Sequence, residues 1–193
     1  MKKALLATVA LTGILALAPA FAQMSSTSTS TTKKTATTTT TTSGLSTADR
    51  KFFTAASQGG MLEVELGKIA AEKGSNPDVK AFGQRMVDDH SKANDQLKQL
   101  AAQKNVKLSD TLSPSKQKVV DKYNKLSGAA FDSSYMSNMV TDHKEDVAEF
   151  QKEAKSGKDS DVKAWAQTTL PTLQDHLKMA QDTKSKLGSK KKM

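Results

Sequence analysis

Four long stretches of this chain repeat apolar residues at the spacing of an α-helix, and the breaks between them are unequal in length. In the first stretch Phe52, Ala55, Ala56, Gly59, Leu62, Leu66, Ile69 and Ala70 fall on one face at about 100° per residue. Ser46-Thr47-Ala48-Asp49, just before that stripe, has the form of a capping box. Gly74-Ser75-Asn76-Pro77 stops this helix and starts the next, which carries Val79, Phe82, Gly83, Met86, Val87, Ala93, Leu97 and Ala101 and fades near Lys104-Asn105. The third stripe is Tyr135, Met136, Met139, Val140, Val147, Phe150 and Ala154. After the turn Ser156-Gly157-Lys158-Asp159 the fourth shows Val162, Trp165, Leu173, Met179, Ala180 and Leu187. Pro171 lies inside this last helix and is expected to kink it or break it locally.

The second and third long helices are separated by residues 104–128, far more than a tight turn needs. Ser113-Pro114 reads as an N-cap followed by proline at the first helical position, so a short helix is expected over roughly 114–125, ended by Ser127-Gly128. Two helical hairpins joined by one long connection are the ferritin-like arrangement; an up-down-up-down bundle uses short loops throughout. The expected fold is therefore all-α: a ferritin-like four-helix bundle over residues 46–187 whose long crossover carries a short extra helix. Only ten Gly and four Pro in the chain fit that reading.

The flanks differ in kind. Lys2 and Lys3, the apolar run Ala4 to Ala18 and Ala20-Phe21-Ala22 form a signal-peptide pattern, with cleavage expected after Ala22. The apolar run is short for a bilayer span of about 20 residues, and no transmembrane segment is expected in the mature protein. An exported protein, periplasmic or in the cell envelope, or secreted, follows. Between Ser25 and Ser43 eleven Thr and five Ser leave almost nothing to bury, so residues 23–45 are expected to be a disordered tether. Residues 188–193 form a basic tail with Lys190-Lys191-Lys192, and the formal charge of the chain is +9. For an exported protein the partners expected of such a tail are anionic envelope polymer or lipid. Nucleic acid is not expected, since only 5% of residues are aromatic and stacking platforms are lacking. No oligomeric state is implied.

Candidate chemistry gathers on three histidines. Each follows an aspartate, in Asp89-His90, Asp142-His143 and Asp175-His176, and each falls mid-stripe on a different long helix. Glu63 holds the equivalent place on the first helix, with Glu65 near the edge of the stripe. At 1.5 Å rise per residue all four positions lie near mid-bundle, so one carboxylate and three imidazoles are expected to converge on a single layer. Imidazoles with a carboxylate suit one transition metal ion such as Fe, Cu or Zn, and the aspartates are candidates to orient the ligands. The competing reading is a core polar network in which the same groups satisfy one another. A ferritin-type di-iron centre wants Glu-x-x-His pairs, and Val87, Val140 and Leu173 stand where those glutamates would be. Met86, Met139 and Met179 lie within a turn of a histidine, as thioether ligands or as core filler.

The second and third long helices share an echo, Met86-Val87-Asp88-Asp89-His90 against Met139-Val140-Thr141-Asp142-His143. Another pairs Val79-Lys80-Ala81-Phe82-Gly83-Gln84 with Val162-Lys163-Ala164-Trp165-Ala166-Gln167. With Gly59-Gly60-Met61-Leu62-Glu63-Val64-Glu65-Leu66-Gly67 and Gly128-Ala129-Ala130-Phe131-Asp132-Ser133-Ser134-Tyr135-Met136, the two Asp-His motifs resemble the DUF4142 family over about residues 47–185. The resemblance implies a ferritin-like bundle exported by bacteria, and no established activity. No nucleophile elbow, phosphate-binding glycine loop or His-Glu-x-x-His motif is present, and the absence of Cys removes thiolate chemistry, so nothing positive supports an enzyme. The readings left are a metal-binding bundle with a stress or metal-handling role, and a non-catalytic envelope interaction module with a purely structural polar core.

Overall fold

Helix start signals and the structure agree closely. In the computed structural model, which describes residues 44–190, the elements are α1 (Thr47–Lys73), α2 (Pro77–Gln103), α3 (Pro114–Asn124), α4 (Gly128–Ser156) and α5 (Ser160–Lys190). The expected signal peptide, the tether up to residue 43 and tail residues 191–193 lie outside the described residues. The Ser46 hydroxyl accepts from Asp49 N–H at 3.1 Å, as its place before the stripe predicts, and within the expected Gly74–Pro77 break the Asn76 side chain caps α2, accepting from Asp78 N–H at 2.8 Å. Asn105 ends α2 in the left-handed region (φ 54°), which asparagine tolerates better than most residues.

Asp49 departs from its expected role. Its carboxylate accepts from Lys158 N–H at 3.1 Å and Asp159 N–H at 3.2 Å, so the start of α1 clasps the α4–α5 turn. Asp132, near the start of α4, accepts from Ser75 N–H at 3.0 Å and Asn76 N–H at 2.9 Å and clasps the α1–α2 turn in the same way. These two clasps set the topology. The start of α1 lies at the α4–α5 end and the start of α4 at the α1–α2 end, so α1 and α5 run one way while α2 and α4 run the other. The connection after α2 must then climb the whole bundle. It does so along α1: Gln58 receives Ser113 N–H at 2.7 Å, and higher up Lys73 donates to Asn124 O at 2.8 Å. This is the ferritin-like order of helices that the long break predicts.

The clasps also expose an internal repeat. Asp49 and Asp132, Glu63 and Asp146, and Val79 and Val162 are all related by the same offset of 83 residues, which maps α1 onto α4 and α2 onto α5. The Val79/Val162 echo belongs to this hairpin repeat. The Met86/Met139 echo instead relates α2 to α4, helices that are not equivalent in it.

Two features of α5 correct the sequence reading. The helix runs unbroken through Pro171. Pro171 and Gln167, whose carbonyl loses its donor, are both exposed, where water can serve that carbonyl. Met179 is 37% exposed rather than in the core. The buried line of α5 at this level is His176, Ala180 and Thr183, spaced by a turn each, and Met179 falls to its side.

The core is divided by a polar layer. On one side Leu62, Leu66, Phe82, Met86, Tyr135 and Met139 form one apolar cluster. On the other Phe52, Phe53, Leu97, Phe150, Val162 and Leu173 form a second. On α2, α4 and α5 a buried histidine lies between the two clusters, and on α1 buried Glu63 directly follows Leu62 of the first.

Candidate metal centre

Three helices bring the histidines together as the stripes predict. His90 on α2, His143 on α4 and His176 on α5 are 6%, 0% and 1% exposed. One ring nitrogen from each lies within 4.8 Å of the others. The ring centroids are 5.3–5.7 Å apart, and Phe82 closes one side with its ring 6.2 Å from that of His143.

Hydrogen bonding fixes the protons on two of the rings. His143 Nδ1 stands 3.0 Å from Met139 O, a carbonyl that can only accept, so Nδ1 carries the hydrogen. His176 Nε2 stands 2.8 Å from Asp89 Oδ2. Burial pushes the Asp89 carboxyl up, but bonds from Arg85 and His176 outweigh it and hold the acid below its ordinary value. Asp89 is therefore a carboxylate that accepts, and His176 donates through Nε2. The two remaining nitrogens, His143 Nε2 and His176 Nδ1, face each other at 3.3 Å with a lone pair each. Neither has a hydrogen to give. A proton between them is disfavoured, since burial pushes His143 down to about 4 and lowers His176 despite Asp89. Burial, reinforced by the other two rings, also lowers His90 well below its usual value, and its Nε2 is buried without a hydrogen-bond partner.

The other expected residues divide. Glu63 lies in the same layer, 2% exposed, but it is not one of the groups that converge. Its carboxyl is pushed well up by burial, then by Asp146 and Asp142, with Lys116 opposing, and Oε2 has no partner. Of the aspartates only Asp89 serves a histidine. Asp142 accepts from Asn138, and burial pushes it up to about 6. Asp175 is exposed, and Glu65 is at the surface, paired with Lys68 at 2.7 Å. Each Asp-His dipeptide places its two side chains about 100° apart, so the acid on one helix can meet only a histidine from another.

Sequence reasoning missed Asp146. It stands one turn after His143, and a Cβ built on Gly59 of α1 would be 3.9 Å from Asp146 Oδ1. Burial, then Asp142, pushes it up to about 7. With His90, His176 and Asn94 it lines a cavity of about 30 Å³. The spacing His143-x-x-Asp146 was the available signal.

A helical bundle with a buried polar layer at mid-height is the class that fold and site define. Over residues 34–183 the chain matches the family described as a domain of unknown function, DUF4142. It belongs to that family. The fold is also similar to the crystal structure of a DUF305 fragment from Deinococcus radiodurans, with a TM-score of 0.64 at 11% identity, covering 74% of this chain and 98% of that one. No curated protein matches the sequence.

Proposed function

We propose that this protein is an exported bundle that binds one transition metal ion through His90, His143 and His176, in a metal-handling or stress role. The observation that carries the reading is the pair of facing lone pairs, His143 Nε2 and His176 Nδ1, at 3.3 Å. Two nitrogens bound tetrahedrally to one ion at about 2.0–2.1 Å stand about 3.3–3.4 Å apart, so an ion between them turns a repulsive contact into two bonds. The opposite nitrogens support it. Metal-bound histidines characteristically donate their second N–H to a backbone carbonyl or a carboxylate, as His143 does to Met139 O and His176 to Asp89. The spacing suits zinc, and buried imidazole also takes copper or iron. Export is supported by the Lys2-Lys3 and Ala20-Phe21-Ala22 pattern.

Elemental analysis of the mature protein purified without chelator or His-tag, followed by titration with Zn, Cu and Fe salts, tests the centre. About one tightly held ion per chain is expected, lost when His90 and His143 are both changed to Ala. A protein that stays folded and refuses all three metals would leave the layer as a polar core network.

A further inference from the structure

Three imidazoles leave a tetrahedral ion one ligand short. Structural zinc sites are closed by a fourth protein ligand, whereas reactive ones keep that position for water. Among the described residues no carboxylate joins the three histidine nitrogens within 4.8 Å. The cavity of about 30 Å³ opens directly onto His90 and His176. One water needs roughly 10–15 Å³ and two to four polar partners. Beside Asp89, Thr169 and Thr172, the cavity's polar lining includes Asn94, one turn after His90, and Asp146, one turn after His143. Gly60 is what admits Asn94: a Cβ there would overlap the Asn94 carboxamide oxygen.

A way in from solvent is also present. A groove of about 180 Å³ on the seam between α2 and α5 shares Asp89, Ala93, Thr169 and Thr172 with the cavity, and exposed Lys92 stands at its mouth. That seam is packed more sparsely than either hairpin.

We propose that this cavity holds an exchangeable water on the bound ion, displaceable by a small anion, with Asn94 and Asp146 as its hydrogen-bonding partners. The inference rests on the three-histidine metal reading. It makes the centre an open, ligand-exchanging site instead of a structural staple.

The test uses the mature full chain loaded with Co(II), its metal content measured first by elemental analysis, and azide titrated while the visible cobalt spectrum is followed. A saturable one-to-one spectral change is expected. Ala93→Leu, which fills the cavity without replacing a histidine, should keep its cobalt and bind azide about tenfold more weakly or worse. Asn94→Leu serves as the second variant should Ala93→Leu fail to fold, and should weaken azide in the same direction. Bound cobalt whose spectrum azide does not move, or a response equal in the folded variants, overturns the open site while leaving the metal reading intact. A chain that binds no cobalt removes both.

Discussion

Glu153 is a buried acid placed against another acid. Burial, then Asp49, pushes its carboxyl from an ordinary 4.5 up to about 7. The folded state therefore keeps this proton longer than the unfolded chain. Its contribution is complete below about pH 4.5 and is lost as pH rises through about 7. His143 works in the opposite sense: lowered from 6.5 to about 4, it contributes stability above pH 6.5 that is lost as pH falls through 4. The parent's pH profile mixes these slopes, so the informative quantity is the difference from Glu153→Gln, whose amide stays neutral. That variant should gain on the parent as pH rises from 5 to 8, reaching on the order of 1 kcal/mol in urea unfolding of the metal-free protein. A difference independent of pH would disprove the raised carboxyl. The same scale shows what a linear reading of the chain can locate. The histidines were legible because each sits mid-stripe, where a polar residue is conspicuous. Asp146 was not, because it is one of four acids within eight residues, Asp142, Glu145, Asp146 and Glu149, which residue type alone does not tell apart, and only packing against Gly59 singles it out.

Close helix approach is decided by two glycines. A Cβ on Gly83 of α2 would stand 2.7 Å from Gly67 O and from Ala70 Cβ of α1, and one on Gly67 would stand 2.7 Å from Gly83 O. These neighbours are backbone or short side chain and cannot swing aside. Gly83→Ala should therefore cost about 1–3 kcal/mol by overpacking, despite alanine's better helix propensity, and lower the urea midpoint. Gly188, late in α5 with nothing within 4 Å, is the control: Gly188→Ala should be neutral or slightly stabilising. Helix ends were readable in the sequence wherever a cap acts locally, as at Ser46 and Asn76. The behaviour of α5 at Pro171 was not, because it depends on whether the freed carbonyl faces core or water.

Two distant clasps hold the whole molecule in register. Asp49 and Asp132 each tie the start of one hairpin to the turn of the other, at opposite ends of a bundle whose first helix has 27 residues, a length of about 40 Å. Each Asp→Ala change removes two carboxylate hydrogen bonds from backbone N–H groups and should cost about 1–3 kcal/mol. At that separation the double variant should equal the sum of the two within about 0.5 kcal/mol, checked by chemical denaturation of all three variants. A metal ion bound at the central layer would raise the melting temperature of each by linkage, since it would tie α2, α4 and α5 together.

Periodicity, caps and the length of the second break were enough to specify helices, hairpins and the long crossover, because these follow from local backbone preference and from which face must leave water. They also placed three histidines at one depth. Which nitrogen faces which, that Asp89 meets His176 and not its neighbour His90, that Asp142 and Asp146 raise the Glu63 carboxyl from another helix, and that Gly60 makes room for Asn94 all depend on how side chains from different helices meet. Rise per residue sets depth along a helix, but the partner across the core is set by helix rotation and close packing, which a linear pattern does not encode.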